Sequence, residues 1–141
     1  MRILPAVTAL LCLFAGTPAF ADLPLDYRDL RGTSWEATEW NGAAPKPEMA
    51  PRLSFNPDER FTAFAGCNRH MGRYAIRGEG IAFEPQRSTK MACHGERGAT
   101  DDRMIADLKR IARLALQPDG ALIAHAADGA PILRLRRVSP R

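Results

Sequence analysis

Cys67 and Cys93 stand 26 residues apart in a chain of 141 residues that opens like an export signal, and this pair restricts the fold more than any other feature. Arg2 supplies a positive charge, Ile3 to Ala15 form an apolar run broken by Pro5 and Thr8, and Thr17-Pro18-Ala19-Phe20-Ala21 offers an A-x-A cleavage site. The expectation is a signal peptide over residues 1–21 and a mature chain beginning at Asp22. Because the apolar run is shorter than the roughly 20 residues that span a bilayer, no transmembrane segment should remain after cleavage. Cys12 lies inside that run, without the small residues that precede a lipid-modified cysteine, and leaves with the signal. In an oxidising compartment the two remaining cysteines are most simply a disulfide, and closing that loop would stabilise the fold by roughly 3–4 kcal/mol.

The competing arrangement gathers Cys67, Cys93, His70 and His94 around a metal ion. Neither C-x-x-C nor H-x-x-x-H spacing is present, and adjacent Cys93-His94 is awkward for shared ligation. The absence of cysteines two residues apart also argues against thioredoxin-like exchange. The expectation is therefore a disulfide, no metal and no cofactor, with the metal site as the alternative.

Cleavage would leave about 120 residues, enough for one domain and too few for two. The chain carries a formal charge of +4, a surplus too mild to argue for nucleic acid. Arg134, Arg136 and Arg137 cluster near the C-terminus, where they read as the charges of a solubilised edge strand rather than as a phosphate or membrane contact.

Asp22 to Arg31 reads as a lead-in, with Tyr27 and Leu30 free to dock on a domain spanning 32–139. Ser34 to Trp40 predicts a strand ending in Asn41-Gly42, a pair suited to the positive φ of a tight hairpin. After a proline-rich loop, strands are predicted over Arg52–Phe55, Arg60–Ala65, His70–Ile76 and Ile81–Glu84, the last stopping before Pro85. Short strands at this spacing imply an antiparallel sandwich or barrel. Met104, Ile105, Leu108, Ile111 and Ala112 recur with helical period, predicting one amphipathic helix over Thr100–Ala112, capped by Thr100, with Asp101 and Asp102 at its positive end and Asp107 on its solvated face. Strands return over Leu114–Gln117, Ala121–Ala124 and Ile132–Val138, with Leu133 and Leu135 inward and Arg134 and Arg136 outward.

No constellation of catalytic residues emerges. Ser34, Ser54, Ser88 and Ser139 occupy no G-x-S-x-G elbow, the scattered histidines attach to no serine, and no glycine-rich phosphate loop appears. Glu79, Glu84, Glu96, Asp101 and Asp102 read as surface solvation. Gly66 suits a strand bend or a close backbone approach, Asn68 a turn held by its own backbone, and Arg69 a pairing with a surface acid.

Several segments together resemble the META/HslJ-like domain family. They are the tryptophan-bearing first strand with Asn41-Gly42, Leu53-Ser54-Phe55, Ala65-Gly66-Cys67-Asn68-Arg69 with Gly72 and Tyr74, and Ser88-Thr89-Lys90-Met91-Ala92-Cys93 before a helix. The resemblance spans about Leu30 to Val138. It implies a mainly β, small antiparallel barrel-like domain of lipocalin-like topology with one packed α-helix, and it supports pairing of Cys67 with Cys93. Gly66, Asn68, Arg69, Thr89 and Met91 are then structural motif residues, and no catalytic residue is implied. The implied protein is a monomeric, non-catalytic domain of the periplasm, or alternatively secreted, that supports envelope stress or antibiotic tolerance through an unidentified envelope protein or component. The alternative is a barrel carrying a small apolar ligand, which needs a lumen not filled by Trp35, Phe55 and Phe61. A hydrolase would need a buried polar cluster around His70 or His94.

Overall fold

The structure, a computed structural model, describes residues 21–140, so the expected signal peptide lies outside the described residues but for Ala21. Eight strands form: β1 Thr33–Trp40, β2 Arg52–Phe55, β3 Arg60–Phe64, β4 Arg69–Arg77, β5 Gly80–Ser88, β6 Ile111–Leu116, β7 Leu122–Ala126 and β8 Pro131–Val138. One α-helix, α1 Gly95–Arg110, separates β5 from β6. The strands make a single antiparallel sheet in the order β5-β4-β3-β2-β1-β8-β7-β6. Two meanders are thus joined by pairing of the first strand with the last. The sheet curls into a half-barrel with β5 and β6 as its edges; the two approach where a Cβ at Gly80 would lie 2.9 Å from the Ala112 carbonyl oxygen, and α1 connects them.

Period-two alternation sets the inside. Leu53, Phe55, Phe61 and Ala63 are at most 1 % exposed, while their neighbours Arg52, Ser54, Thr62 and Phe64 face outward and are half-buried. Aromatic rings fill the interior: Phe55 meets Tyr74 edge-on at 5.4 Å and Phe61 meets Phe83 edge-on at 5.2 Å, contacts worth about 0.5–1.5 kcal/mol each beyond area burial. Trp35, Phe55 and Phe61 all belong to this packed core, so the space an apolar cargo would need is occupied. Gly72 is required by closeness: a Cβ there would lie 2.1 Å from the Glu84 carbonyl oxygen and 2.8 Å from Phe61 Cε1. The Asn41-Gly42 turn has φ of 47° and 82°, and Trp40 and Ala43 exchange backbone hydrogen bonds across it, as the sequence predicted.

The lead-in belongs to the folded body. The Leu23 amide donates to the Leu116 carbonyl and so extends pairing beyond β6. Buried Tyr27 reaches across the seam: its hydroxyl donates to the Glu79 carbonyl at 2.8 Å, in the β4–β5 turn, and accepts from the Leu114 amide at 3.4 Å, in β6.

Several expectations need correction. The helix runs over Gly95–Arg110, not Thr100–Ala112, and Ile111 already begins β6. Thr100 does not cap it; its hydroxyl is shared between the Ala65 and Arg97 carbonyls, and the N-cap position is held by His94. Neither Asp101 nor Asp107 is surface solvation: both are buried on the face that carries Met104 and Leu108. Asp107 accepts from Trp40 Nε1 at 2.8 Å and Asn41 Nδ2 at 2.9 Å on one oxygen, and from Arg110 at 2.7 Å on the other. Arg103 lies 4.3 Å over the Trp40 ring and closes the site from outside. β5 continues through Pro85 to Ser88, because an edge strand tolerates a missing donor and a register shift at Met71/Gly72 accommodates it. Finally, β8 is no edge strand; it lies between β1 and β7, and Arg134 and Arg136 are answered by Asp119 and Glu36.

Candidate functional site

Where β3 ends, the chain turns through Gly66 at φ 95°, with its α-carbon pressed on Met49: a Cβ there would lie 2.8 Å from Met49 Cγ. That turn delivers Cys67 and Asn68 to the exposed segment between β5 and α1. Cys67 is disulfide-bonded to Cys93 across a Cα–Cα distance of 6.2 Å. With both sulfurs in a covalent bond, neither is a thiolate ligand, and His94 sits apart from buried His70 as an exposed helix cap.

Asn68 is the centre of the network. Its side-chain oxygen accepts from the Met91 amide at 2.9 Å and the Thr89 hydroxyl at 3.0 Å. Its side-chain nitrogen donates to Asp101 Oδ2 at 3.0 Å and to Cys93 Sγ at 3.1 Å. Its backbone amide donates to Asp101 Oδ1 at 3.1 Å. Rather than folding back on its own backbone, as the sequence suggested, this side chain ties three segments together. Thr89 completes the join, its hydroxyl accepting from the Arg69 amide and its own amide donating to the Arg69 carbonyl, both at 3.0 Å.

Beneath this lies a buried carboxylate–imidazole pair, with His70 Nε2 2.9 Å from Asp101 Oδ1. Asp101 already accepts two protons from Asn68, so Nε2 donates and fixes the ring's tautomer when it is neutral. His70 Nδ1 has no partner among the described residues. A hydrolase would place a nucleophile there. Ser88 is paired opposite His70 in the sheet, yet its hydroxyl donates to the Thr89 carbonyl. The pair therefore orients and anchors α1 against β4; among the described residues no trio of His, Cys, Asp or Glu is arranged to hold a metal ion.

The structure brings Gly66, Cys67, Asn68, Thr89 and Cys93 together, with Met91 held by its backbone and its side chain 60 % exposed. Arg69 points outward without an ion-pair partner among the described residues, contrary to its expected acid. The sequence reading named His70 only as a candidate metal ligand or hydrolase residue and Asp101 only as a surface acid, and missed their buried pairing. A usable signal existed: Asp101 stands three residues before Met104, on the same helical stripe as Leu108, where a carboxylate must be buried.

Two carboxylates away from this site are held by arginines. Burial opposes ionisation of Glu36, but Arg52 and Arg136 together hold its carboxyl below the usual range. At the rim, Asp26 accepts from the Arg28 side chain and amide, which pull its pKa down to about 2.

Comparison with known proteins places this architecture. The sequence model of the META domain matches residues 28–139. The fold is similar to the NMR structure of a protein from Burkholderia xenovorans, with a TM-score of 0.69 and 23 % identity over 92 % of this chain and 100 % of that one. It is also similar to the crystal structure of a DUF4847 family protein from Bacteroides vulgatus, with a TM-score of 0.58 and 10 % identity over 79 % of this chain and 96 % of that one. No curated protein matches the sequence.

Proposed function

This chain belongs to the META domain family, and from that premise we propose that it is an exported, non-catalytic binding domain of the HslJ-like kind. It works in the periplasm as a monomer and supports tolerance of envelope stress or antibiotics by contacting an envelope protein or component. The observation that carries this reading is the use to which the motif residues are put. Asn68, Thr89, Asp101 and the Cys67–Cys93 bond turn onto one another and tie the Ser88–His94 segment to the β3–β4 corner with the Met91 side chain exposed. Groups satisfied in this way are suited to presenting a surface, whereas general acid–base chemistry needs a group within reach of a substrate proton. The disulfide agrees with an oxidising compartment. The filled interior counts against a carrier of apolar cargo.

Gene deletion tests the reading. Loss of the gene is expected to raise sensitivity to heat, envelope-active antibiotics or oxidants. The wild-type gene should restore tolerance and Met91→Asp should not, although the variant folds. Unchanged sensitivity after deletion would sink the proposal.

A further inference from the structure

The outer face of β3, β4 and β5 carries charge that the fold itself does not use. Cross-strand register sets Arg60 opposite Arg73, Met71 opposite Arg87, and Phe64 opposite Arg69. Like charges directly opposite on paired strands are destabilising. Arg77 continues the same outward row of β4, so five arginines share this face with one acid, Glu84, which stands opposite Arg73. Arg60 pairs with Asp58 of the β2–β3 turn at 3.2 Å; Arg69, Arg73, Arg77 and Arg87 form no ion pair among the described residues. The neighbouring face behaves differently, since there Arg52 and Arg136 converge on Glu36. Arginines without an ion-pair partner among the described residues therefore gather on β3–β5, whereas Arg134 and Arg136 near the C-terminus are both paired.

We propose that this face docks on the phosphate headgroups of an anionic lipid membrane. The inference rests on reading the chain as an exported binding domain and names the component it contacts. A guanidinium grips a phosphate through two parallel hydrogen bonds, and a shallow recess of about 330 Å³ opens among Arg60, Thr62, Met71, Gln86 and Arg87. A protein partner would call for a central apolar anchor site; the apolar side chains here, Phe64 and Met71, are half-buried and flanked by arginine. A headgroup layer asks for charge density without shape. Next to the face, Asn68 holds the backbone of Met91 and leaves its side chain 60 % exposed, a flexible apolar group able to enter the interfacial layer.

The test is co-sedimentation of the purified protein with vesicles of phosphatidylglycerol and phosphatidylcholine, against phosphatidylcholine alone. Binding is expected to the anionic vesicles only and to disappear at high salt. Arg73→Gln with Arg87→Gln should weaken it about 25-fold, at about fivefold per arginine. Arg134→Gln with Arg137→Gln, which carries the same change in net charge, should cost far less. The Arg73/Arg87 variant relieves repulsion, so its melting temperature should not fall, which separates lost binding from lost folding. Equal weakening by the two variants, or no binding of the wild-type protein, would overturn the proposal. So would tighter binding to poly-glutamate than to vesicles, which would assign the face to an acidic protein. Any of these leaves the deletion phenotype as a separate outcome, so failure here does not masquerade as failure of the functional reading.

Discussion

Replacing Asn68 by Asp tests the central network with a change of one atom. The side-chain oxygen that holds Met91 and Thr89 is retained, while the nitrogen that donates to Asp101 at 3.0 Å becomes a carboxylate oxygen facing a carboxylate. Two unit charges 3 Å apart repel by about 5 kcal/mol at an effective dielectric of 20. The pair has a cheaper escape, which is to bind one proton and restore a donor. Protonating a carboxyl of ordinary pKa near 4 at pH 7 costs about 4 kcal/mol, from about three pH units at about 1.4 kcal/mol each. The variant should therefore lose about 4 kcal/mol at pH 7, a large share of the stability of a small domain. The sign of the pH dependence follows from linkage. The proton is held more tightly in the folded state, so stability relative to wild type rises as pH falls, by about 1.4 kcal/mol per unit, until the deficit vanishes near pH 4. Urea titration of the oxidised protein at pH 7, 6, 5 and 4.5 reads this directly. The double variant Asn68→Asp, Asp101→Asn re-creates one donor and one acceptor and should recover most of the loss at pH 7, with a coupling energy of about 2–3 kcal/mol. A single variant as stable as wild type at pH 7, or a deficit independent of pH, would show that Asn68 and Asp101 do not share a proton contact.

Removing the disulfide with Cys67→Ala and Cys93→Ala together should lower stability by about 3–4 kcal/mol in chemical denaturation, with no new thiol to complicate the measurement. Tyr27→Phe deletes the hydroxyl that joins Glu79 to Leu114 and should cost about 1 kcal/mol, with faster amide exchange at Leu114 than at core strands such as β1. The Glu36 carboxyl, held below its usual range in the folded chain, contributes stability above its unfolded pKa that is lost as pH falls through the folded value; Glu36→Gln should flatten the acid limb of the stability profile.

Strand hairpins were legible in the chain because turn chemistry and alternation agree. Leu53 and Phe55, then Phe61 and Ala63, alternate about the turn Asn56-Pro57-Asp58-Glu59, and the structure pairs Phe55 with Phe61 and Leu53 with Ala63. Met104 and Leu108 announced the helix for the same reason. Its first turn was hidden, because Glu96-Arg97-Gly98-Ala99 has no large apolar residue to mark a buried face; the turn is held by the disulfide and by Thr100 on the Ala65 carbonyl. Its end was hidden by Ile111 and Ala112, which keep helical spacing although the backbone has become a strand. In the candidate site the cysteines could be read from compartment and spacing, whereas Asn68, His70 and Asp101 meet only through long-range pairing of β4 with α1. Short-range patterns carry no trace of a hydrogen bond made 33 residues away.

The clasp at Tyr27 has a consequence in time. Asp22 bonds Arg113 and Gln117, Leu23 pairs with Leu116, and Tyr27 waits for Glu79 and Leu114. The first residues of the folded body are thus completed by partners made 52 to 95 residues later. Whatever order the rest of the chain folds in, the lead-in can reach its native place only after β6 has been made.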